Sequence, residues 1–179
     1  FGFFPSVALG WMISNEKFFE GLKEVINVLK IKGSYGIVGN DKIGGDRRFI
    51  YDPIFSTIGN AYQFGTSGYN VNSIYLKELA NPNVTWEKAY KTNIGLEMSL
   101  LNTVRVQVDY FEDNRKGIFL RRDDLSSLFA MDSRPYTNVG EGLNRGVDSQ
   151  VEVNRKFGDL NVSLRGNFTY SRNEMINDA

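Results

Sequence analysis

The stretch NPNVTWEKAYKTNIGLEMSL, Asn81 to Leu100, decides how this chain is read. From Ala89 the odd positions are Ala89, Lys91, Asn93, Gly95, Glu97 and Ser99, and the even positions are Tyr90, Thr92, Ile94, Leu96, Met98 and Leu100. A period of two is a β-strand with opposite faces, here one charged and one apolar. A strand over a soluble core keeps that pattern for about five or six residues; this one keeps it for roughly a dozen. A strand tilted across a membrane's apolar layer needs roughly 9 to 11 residues, with lipid on one face and a wet lumen or a plug on the other.

Working outward, the same alternation recurs in Phe3–Trp11, Val28–Val38, about Lys88–Leu100, Val104–Ile118, about Arg145–Phe157 and Leu160–Ser171. Val28–Val38, for example, sets Leu29, Ile31, Tyr35 and Ile37 opposite Lys30, Lys32, Ser34 and Gly36, and Leu160–Ser171 sets Leu160, Val162, Leu164, Phe168 and Tyr170 opposite Asn161, Ser163, Arg165, Asn167 and Thr169. In Val104–Ile118 the pattern fades after Tyr110. The connections alternate too: Leu101-Asn102-Thr103 and Gly158-Asp159 suit tight hairpins, whereas Gly39–Glu87 and Phe119–Asn144 are long. Long loops on one rim and short turns on the other mark an outer-membrane barrel, with Gly39–Glu87 and Phe119–Asn144 expected on the extracellular side and Leu101–Thr103, Gly158-Asp159 and the Ser14–Asn27 link on the periplasmic side. The link from Ser14 to Asn27 reads as a short interfacial helix or ordered turn, with Ser14 a possible N-cap and Phe18, Phe19, Leu22, Val25 and Ile26 as its apolar stripe. Trp11, Tyr35, Tyr90, Tyr110, Phe157 and Tyr170 lie near strand ends, where aromatic girdles meet the membrane interfaces.

The bulk numbers exclude other classes. With 179 residues and 41% hydrophobic content the chain is not disordered, and 21 basic against 21 acidic residues, with no basic run beyond an adjacent pair, give no reason to expect nucleic-acid binding. There is no Cys and no His, so thiolate chemistry, the commonest metal ligand and the commonest general base are missing, and neither a cofactor nor a metal nor a catalytic residue is expected. No window reaches the roughly 20 apolar residues of a membrane-spanning helix, a test to which a barrel is invisible. The ends, FGFFPSV and NEMINDA, read as cuts in a longer protein.

The segments FGFFPSVALGW, LKIKGSYGIVGND, LANPNVTWEKAYKTNIGLEMSLLN, VQVDYFEDNRKGIFL, NVGEGLNRGVDSQVEV and LRGNFTYSRNEM, in this order, resemble consecutive barrel strands of SusC/RagA-type TonB-dependent outer-membrane transporters. The resemblance implies an all-β, antiparallel transmembrane barrel of about 22 strands, with residues 1–179 a part of it and the signal sequence, plug and remaining strands elsewhere. It implies the Gram-negative outer membrane, import of a large nutrient (an oligosaccharide or a peptide), a SusD-like lipoprotein as lid, and energy from the TonB complex acting through the missing N-terminal part. The rival readings are a soluble all-β binding module, such as a sandwich, and an outer-membrane barrel enzyme, which the missing His disfavours.

Other motifs read as structure. GIVGNDKIGGD, Gly36–Asp46, lacks GxxxxGK[ST] and a following helix, so it is a strand end and loop rather than a phosphate cradle. Asp123-Asp124 are adjacent and so point to opposite faces of any strand, and the Asn-x-Ser/Thr triplets at Asn83, Asn161 and Asn167 match by chance. The Gly39–Glu87 loop is rich in aromatics, and Arg47, Arg48, Tyr51, Tyr62, Phe64 and Tyr69 are its candidates for cargo or lid contact; packing of the loop on itself is the alternative. Lys91, Glu97, Arg105 and Asp109 are candidates for the lumen face, where they either meet cargo or hydrogen-bond the plug and water. On this reading Arg at Leu96 is costly, and Arg at Gly95 or Glu97 is tolerated better unless the plug packs there.

Overall fold

The computed structural model describes residues 2–41, 49–65, 69–122 and 134–178. Its strands are β1 (Ser6–Met12), β2 (Ile26–Asn40), β3 (Ile54–Phe64), β4 (Tyr69–Glu78), β5 (Glu87–Leu100), β6 (Val104–Arg121), β7 (Tyr136–Phe157) and β8 (Leu160–Asn177). Six of them form one sheet in the order β1-β2-β5-β6-β7-β8, and β3 and β4 form a separate two-stranded sheet. The six match the alternating segments of the sequence, but most are longer. At 22 residues β7 is about twice the length a membrane crossing needs. The connection expected over Phe119–Asn144 contracts to residues 122–135, because backbone pairing continues where Glu112, Asn114 and Lys116 have replaced the apolar side chains of β6.

The largest correction concerns Gly39–Glu87, which is not irregular throughout. Ile54–Phe64 and Tyr69–Glu78 pair antiparallel within it. Register shifts between Ile54 and Phe55 and between Ile58 and Tyr62 interrupt the alternation, and that is why a period-two search passes over the hairpin.

Face and register agree in the long sheet. In the β1–β2 pair Val7 lies opposite Tyr35, Leu9 opposite Gly33 and Trp11 opposite Ile31, while Gly10 and Met12 lie opposite Lys32 and Lys30. The tight turns hold as expected. Thr103 N–H donates to the Leu100 carbonyl at 2.9 Å, and Leu101 (φ 50) and Asn102 (φ 53) are both left-handed, the signature of a type I′ hairpin. In the β7–β8 turn only Gly158 has positive φ, at 62°, which matches a type II′ hairpin with glycine first. The Ser14–Asn27 link belongs to this same end, since Leu101 N–H donates to the Val25 carbonyl at 2.9 Å and Asn154 N–H to the Thr103 carbonyl at 2.8 Å. It is not an α-helix. It forms two 3-10 turns, Ile13–Asn15 and Lys17–Leu22, with Ser14 buried inside the first rather than capping it. Gly21 inside the link lowers its helix preference by about 1 kcal/mol relative to Ala.

No protein core accounts for the six-stranded sheet. Among the described residues Phe19 is the single buried apolar side chain, while Val7, Leu9, Trp11, Ile31, Tyr35, Ile94, Leu96, Val108, Tyr110, Leu164, Phe168 and Tyr170 are exposed. A sandwich would bury that face against a second sheet; here a whole apolar face is bare, as a face that meets lipid is. The outermost strands of the sheet, β1 and β8, are not paired to one another, so the sheet is not closed. The chain divides into two compact units, one of residues 1–39, 88–115 and 142–175 and one of 40–87, 116–141 and 176–179.

Candidate functional site

On the polar face of the first unit the charges form a ladder across three strands. Lys32 Nζ lies 3.1 Å from Glu97 Oε1 and 3.0 Å from Asp109 Oδ1, and Lys30 Nζ lies 3.7 Å from Glu97 Oε2. The Lys32–Asp109 pair runs from β2 to β6 over β5, and it passes where Gly95 has no side chain. A Cβ at Gly95 would overlap Asp109 Oδ1 and Lys32 Cε. The expectation that Arg is tolerated at Gly95 or Glu97 is therefore revised: at 95 it would displace the flexible ends of Lys32 and Asp109 and break their pair, and at 97 a third cation would join Lys30 and Lys32.

Further along β6, Asp113 Oδ2 is 3.4 Å from Lys91 Nζ and 3.3 Å from Arg115 Nη2, and its other oxygen has no hydrogen-bond partner. Nearer the β7–β8 turn, Arg165 Nη2 donates to Glu152 Oε2 at 3.0 Å. Between these pairs lies an open depression of about 290 Å³ lined by Gln107, Asp109, Asp148, Ser149, Gln150, Asn167 and Thr169, without an aromatic group. A second, of about 300 Å³, is lined by Val28, Glu97, Met98, Ser99, Arg105 and Gln107. The four polar-face candidates thus share one face: Glu97 and Asp109 are joined through Lys32, Lys91 belongs to the Asp113 cluster, and Arg105 borders the second depression. Sequence reasoning missed the part played by Asp113, because its position follows the point where the alternation fades.

The second unit holds the loop candidates. Tyr51 is exposed and meets Phe49 edge-on, with ring centroids 6.0 Å apart. Tyr62 is exposed on β3 opposite Val71, and Phe64 pairs with Tyr69 in the backbone register, so three of the candidates fall in adjacent pairs at the hairpin's closed end. Arg47, Arg48 and the neighbouring Asp46 lie outside the described residues, as do Asp123 and Asp124. A stacked pair that sequence reasoning did not single out, Phe119 and Tyr136 at 5.5 Å, stands at the foot of the 122–135 connection. A cavity lined by Ile50, Asp52, Ile54, Glu78, Leu79, Arg134, Pro135 and Tyr136 measures about 20 Å³, which is room for a water rather than a sugar or a residue.

The asparagines of the opening stretch are structural. Asn81 Nδ2 donates to the Tyr136 carbonyl at 2.9 Å, and Asn81 Oδ1 accepts from Asn83 N–H at 3.1 Å. Asn138 donates to the carbonyls of Thr85 and Gly117, both at 2.9 Å, and accepts from Thr85 N–H at 3.0 Å. Its side chain replaces a strand partner for segment 81–87. Asn138→Ala is expected to cost about 1–2 kcal/mol and to speed hydrogen exchange at the Thr85 amide; unchanged exchange there would refute this role. Asn138→Asp is expected to do worse, because a carboxylate cannot donate to the two carbonyls.

Comparison with known proteins agrees with this geometry. The family described as TonB dependent receptor-like, beta-barrel matches residues 1–179. The TonB-dependent receptor SusC of Bacteroides thetaiotaomicron is 29% identical over 97% of this chain, and the TonB-dependent receptor P3 of Formosa agariphila is 26% identical over 98% of it. This chain spans 17% of the length of each of those relatives. Among solved structures, the RagAB peptide importer in its open-open state superposes with a TM-score of 0.75 at 26% identity, over 96% of this chain and 18% of the matched one. Proteins of this family reside in the Gram-negative outer membrane. A bare apolar face, a charge-paired polar face and a match along the whole chain lead to one assignment: the chain belongs to the TonB-dependent receptor-like β-barrel family and, within it, to the SusC/RagA type.

Proposed function

We propose that this chain contributes wall and outer rim to an importer of a large polar nutrient, driven by the TonB complex and covered by a SusD-like surface lipoprotein. The carrying observation is the paired ladder of Lys30, Lys32, Glu97 and Asp109 on strands whose opposite face is bare and apolar. Facing a lumen, such a wall is wet, hydrogen-bonding and nearly neutral, so it neither traps nor repels an uncharged polymer. An oligosaccharide is the first reading, because the exposed Tyr51 and Tyr62 offer flat faces on which sugar rings stack. A peptide is the second, favoured by the likeness to the RagAB peptide importer. No covalent chemistry is part of either.

Excision of residues 54–78 from the full-length protein, with a short Gly-Ser join, tests the loop's share. These bounds remove the whole hairpin and leave Asn81 and its bond to the Ile50 carbonyl in place. The expected result is normal barrel abundance in the outer membrane with loss of growth on the transported nutrient, since long surface loops are tolerated thermodynamically. Growth unchanged on both oligosaccharide and peptide sources, with normal abundance, would remove the hairpin from the transport reading. Replacing Tyr62, Phe64 and Tyr69 together by Ala is the milder form of the same test.

Sidedness follows from the connections. Cysteines placed singly at Ser73 and Asn102 are expected to differ on intact cells, with an impermeant maleimide labelling the first and not the second. Equal labelling would reject the extracellular placement of the hairpin.

A further inference from the structure

At the short-turn end four apolar side chains stand open: Phe18 is 71% exposed, Leu22 52%, Val25 53% and Leu101 64%. Their connections are tied together, since the Val25 carbonyl accepts from Leu101 N–H and Asn27 Oδ1 accepts from Asn102 N–H. Phe19, between two exposed neighbours, is buried and holds the 3-10 turn down. Leu101 is the informative residue. It occupies a left-handed position, φ 50, that Asn or Gly would fill without strain, and a type I′ turn selected for folding alone favours those residues there.

The occupant of this patch is settled by what it adjoins. Leu9 and Trp11 on β1, Ile31 on β2 and Leu96 and Leu100 on β5 belong to the apolar face that meets hydrocarbon; Val25 and Leu101 stand directly at the ends of β2 and β5, and Phe18 and Leu22 lie in the 3-10 turn of the link that joins β1 to β2. Trp11 Nε1 donates to Glu16 Oε1 at 3.0 Å, so an amphipathic ring ties the strand end to the 3-10 segment at interface depth. Lys17, Glu20, Lys23 and Glu24 interleave with the apolar positions and supply the polar side that an in-plane segment needs. We propose that Phe18, Leu22, Val25 and Leu101 form an in-plane anchor in the headgroup region of the membrane leaflet at this end. The inference rests on the strands crossing a membrane and not on cargo, lid or sidedness.

The test uses the full-length protein, with any native cysteines replaced, reconstituted into phosphatidylethanolamine/phosphatidylglycerol vesicles. Single cysteines at Phe18, Leu22, Leu101 and, for comparison, the exposed Glu20 carry a bimane label, and only heat-modifiable, assembled protein is read. Shallow spin-labelled lipid is expected to quench the first three at least about twofold more than position 20, with aqueous iodide giving the reverse order. Iodide quenching at positions 18, 22 and 101 equal to that at 20 would overturn the proposal, because the patch would then face water. Protection from both quenchers would overturn it too, because a protein surface would then be the cover. The three positions are read independently, so one variant lost to misassembly leaves the others decisive.

Discussion

Gly146→Val is expected to prevent β7 and β8 from pairing in their native register. A Cβ at position 146 would overlap the Tyr170 carbonyl oxygen and sit 2.9 Å from Ser171 Cα, both backbone atoms of the neighbouring strand, as well as 2.7 Å from Phe111 Cζ. A ring can turn aside, but paired backbone cannot move without giving up its ladder, so the cost is roughly 3 kcal/mol or more. Gly146→Ala is expected to show the same defect in weaker form. Gly21→Ala is the control, since nothing lies within 4 Å of its Cβ and its φ is not positive. The measurement is urea unfolding of the full-length protein from lipid vesicles, followed by loss of heat-modifiable migration. A Gly146→Val protein with the midpoint of the Gly21→Ala control would show that the close approach is not required.

Leu96→Arg is the second large effect. Leu96 lies near the middle of β5 on the apolar face, between the exposed Ile94 and the half-buried Met98, and Arg or Lys at the midplane of a barrel's lipid face costs about 2–4 kcal/mol. The polar-face comparison is Gln107→Arg. Gln107 already donates to Asp109 Oδ2 at 2.7 Å, so a guanidinium there finds a carboxylate waiting and is expected to change stability little. Neither Gly95 nor Glu97 serves for this comparison: a side chain at the first would push the Lys32–Asp109 pair aside, and the second is an anion between two lysines. If Gln107→Arg proves the more damaging in folding into lipid, the two faces have been exchanged and the register is wrong by one residue.

The second prediction depends on knowing which face is which, and that much was legible from residue order. A side chain's face within a strand is set by parity alone, a local property, so Lys91, Glu97, Arg105 and Asp109 could be assigned to one face before any coordinates existed. The short turns were legible for the same reason: Gly158-Asp159 and Leu101-Asn102-Thr103 stand between alternating segments and are too short for anything but hairpins. The membrane reading followed from strand length, because a strand over a soluble core ordinarily keeps its alternation for only about five or six residues.

What only the tertiary structure decided is which distant residues meet. Lys32 and Asp109 are far apart in the chain, and nothing in either neighbourhood announces that β2, β5 and β6 are adjacent in a register that carries this pair across Gly95. Asn138 read as an ordinary polar residue until pairing placed it beside Thr85 and Gly117. The β3–β4 hairpin was hidden because its register shifts break the period, although the aromatic and β-branched residues flanking Gly65–Gly68 were its one local sign. The link at Ser14–Asn27 carried a helical stripe but folds as two 3-10 turns. Alternation specifies a face because it depends on neighbours in the chain; a site is assembled by register, which depends on neighbours in the sheet.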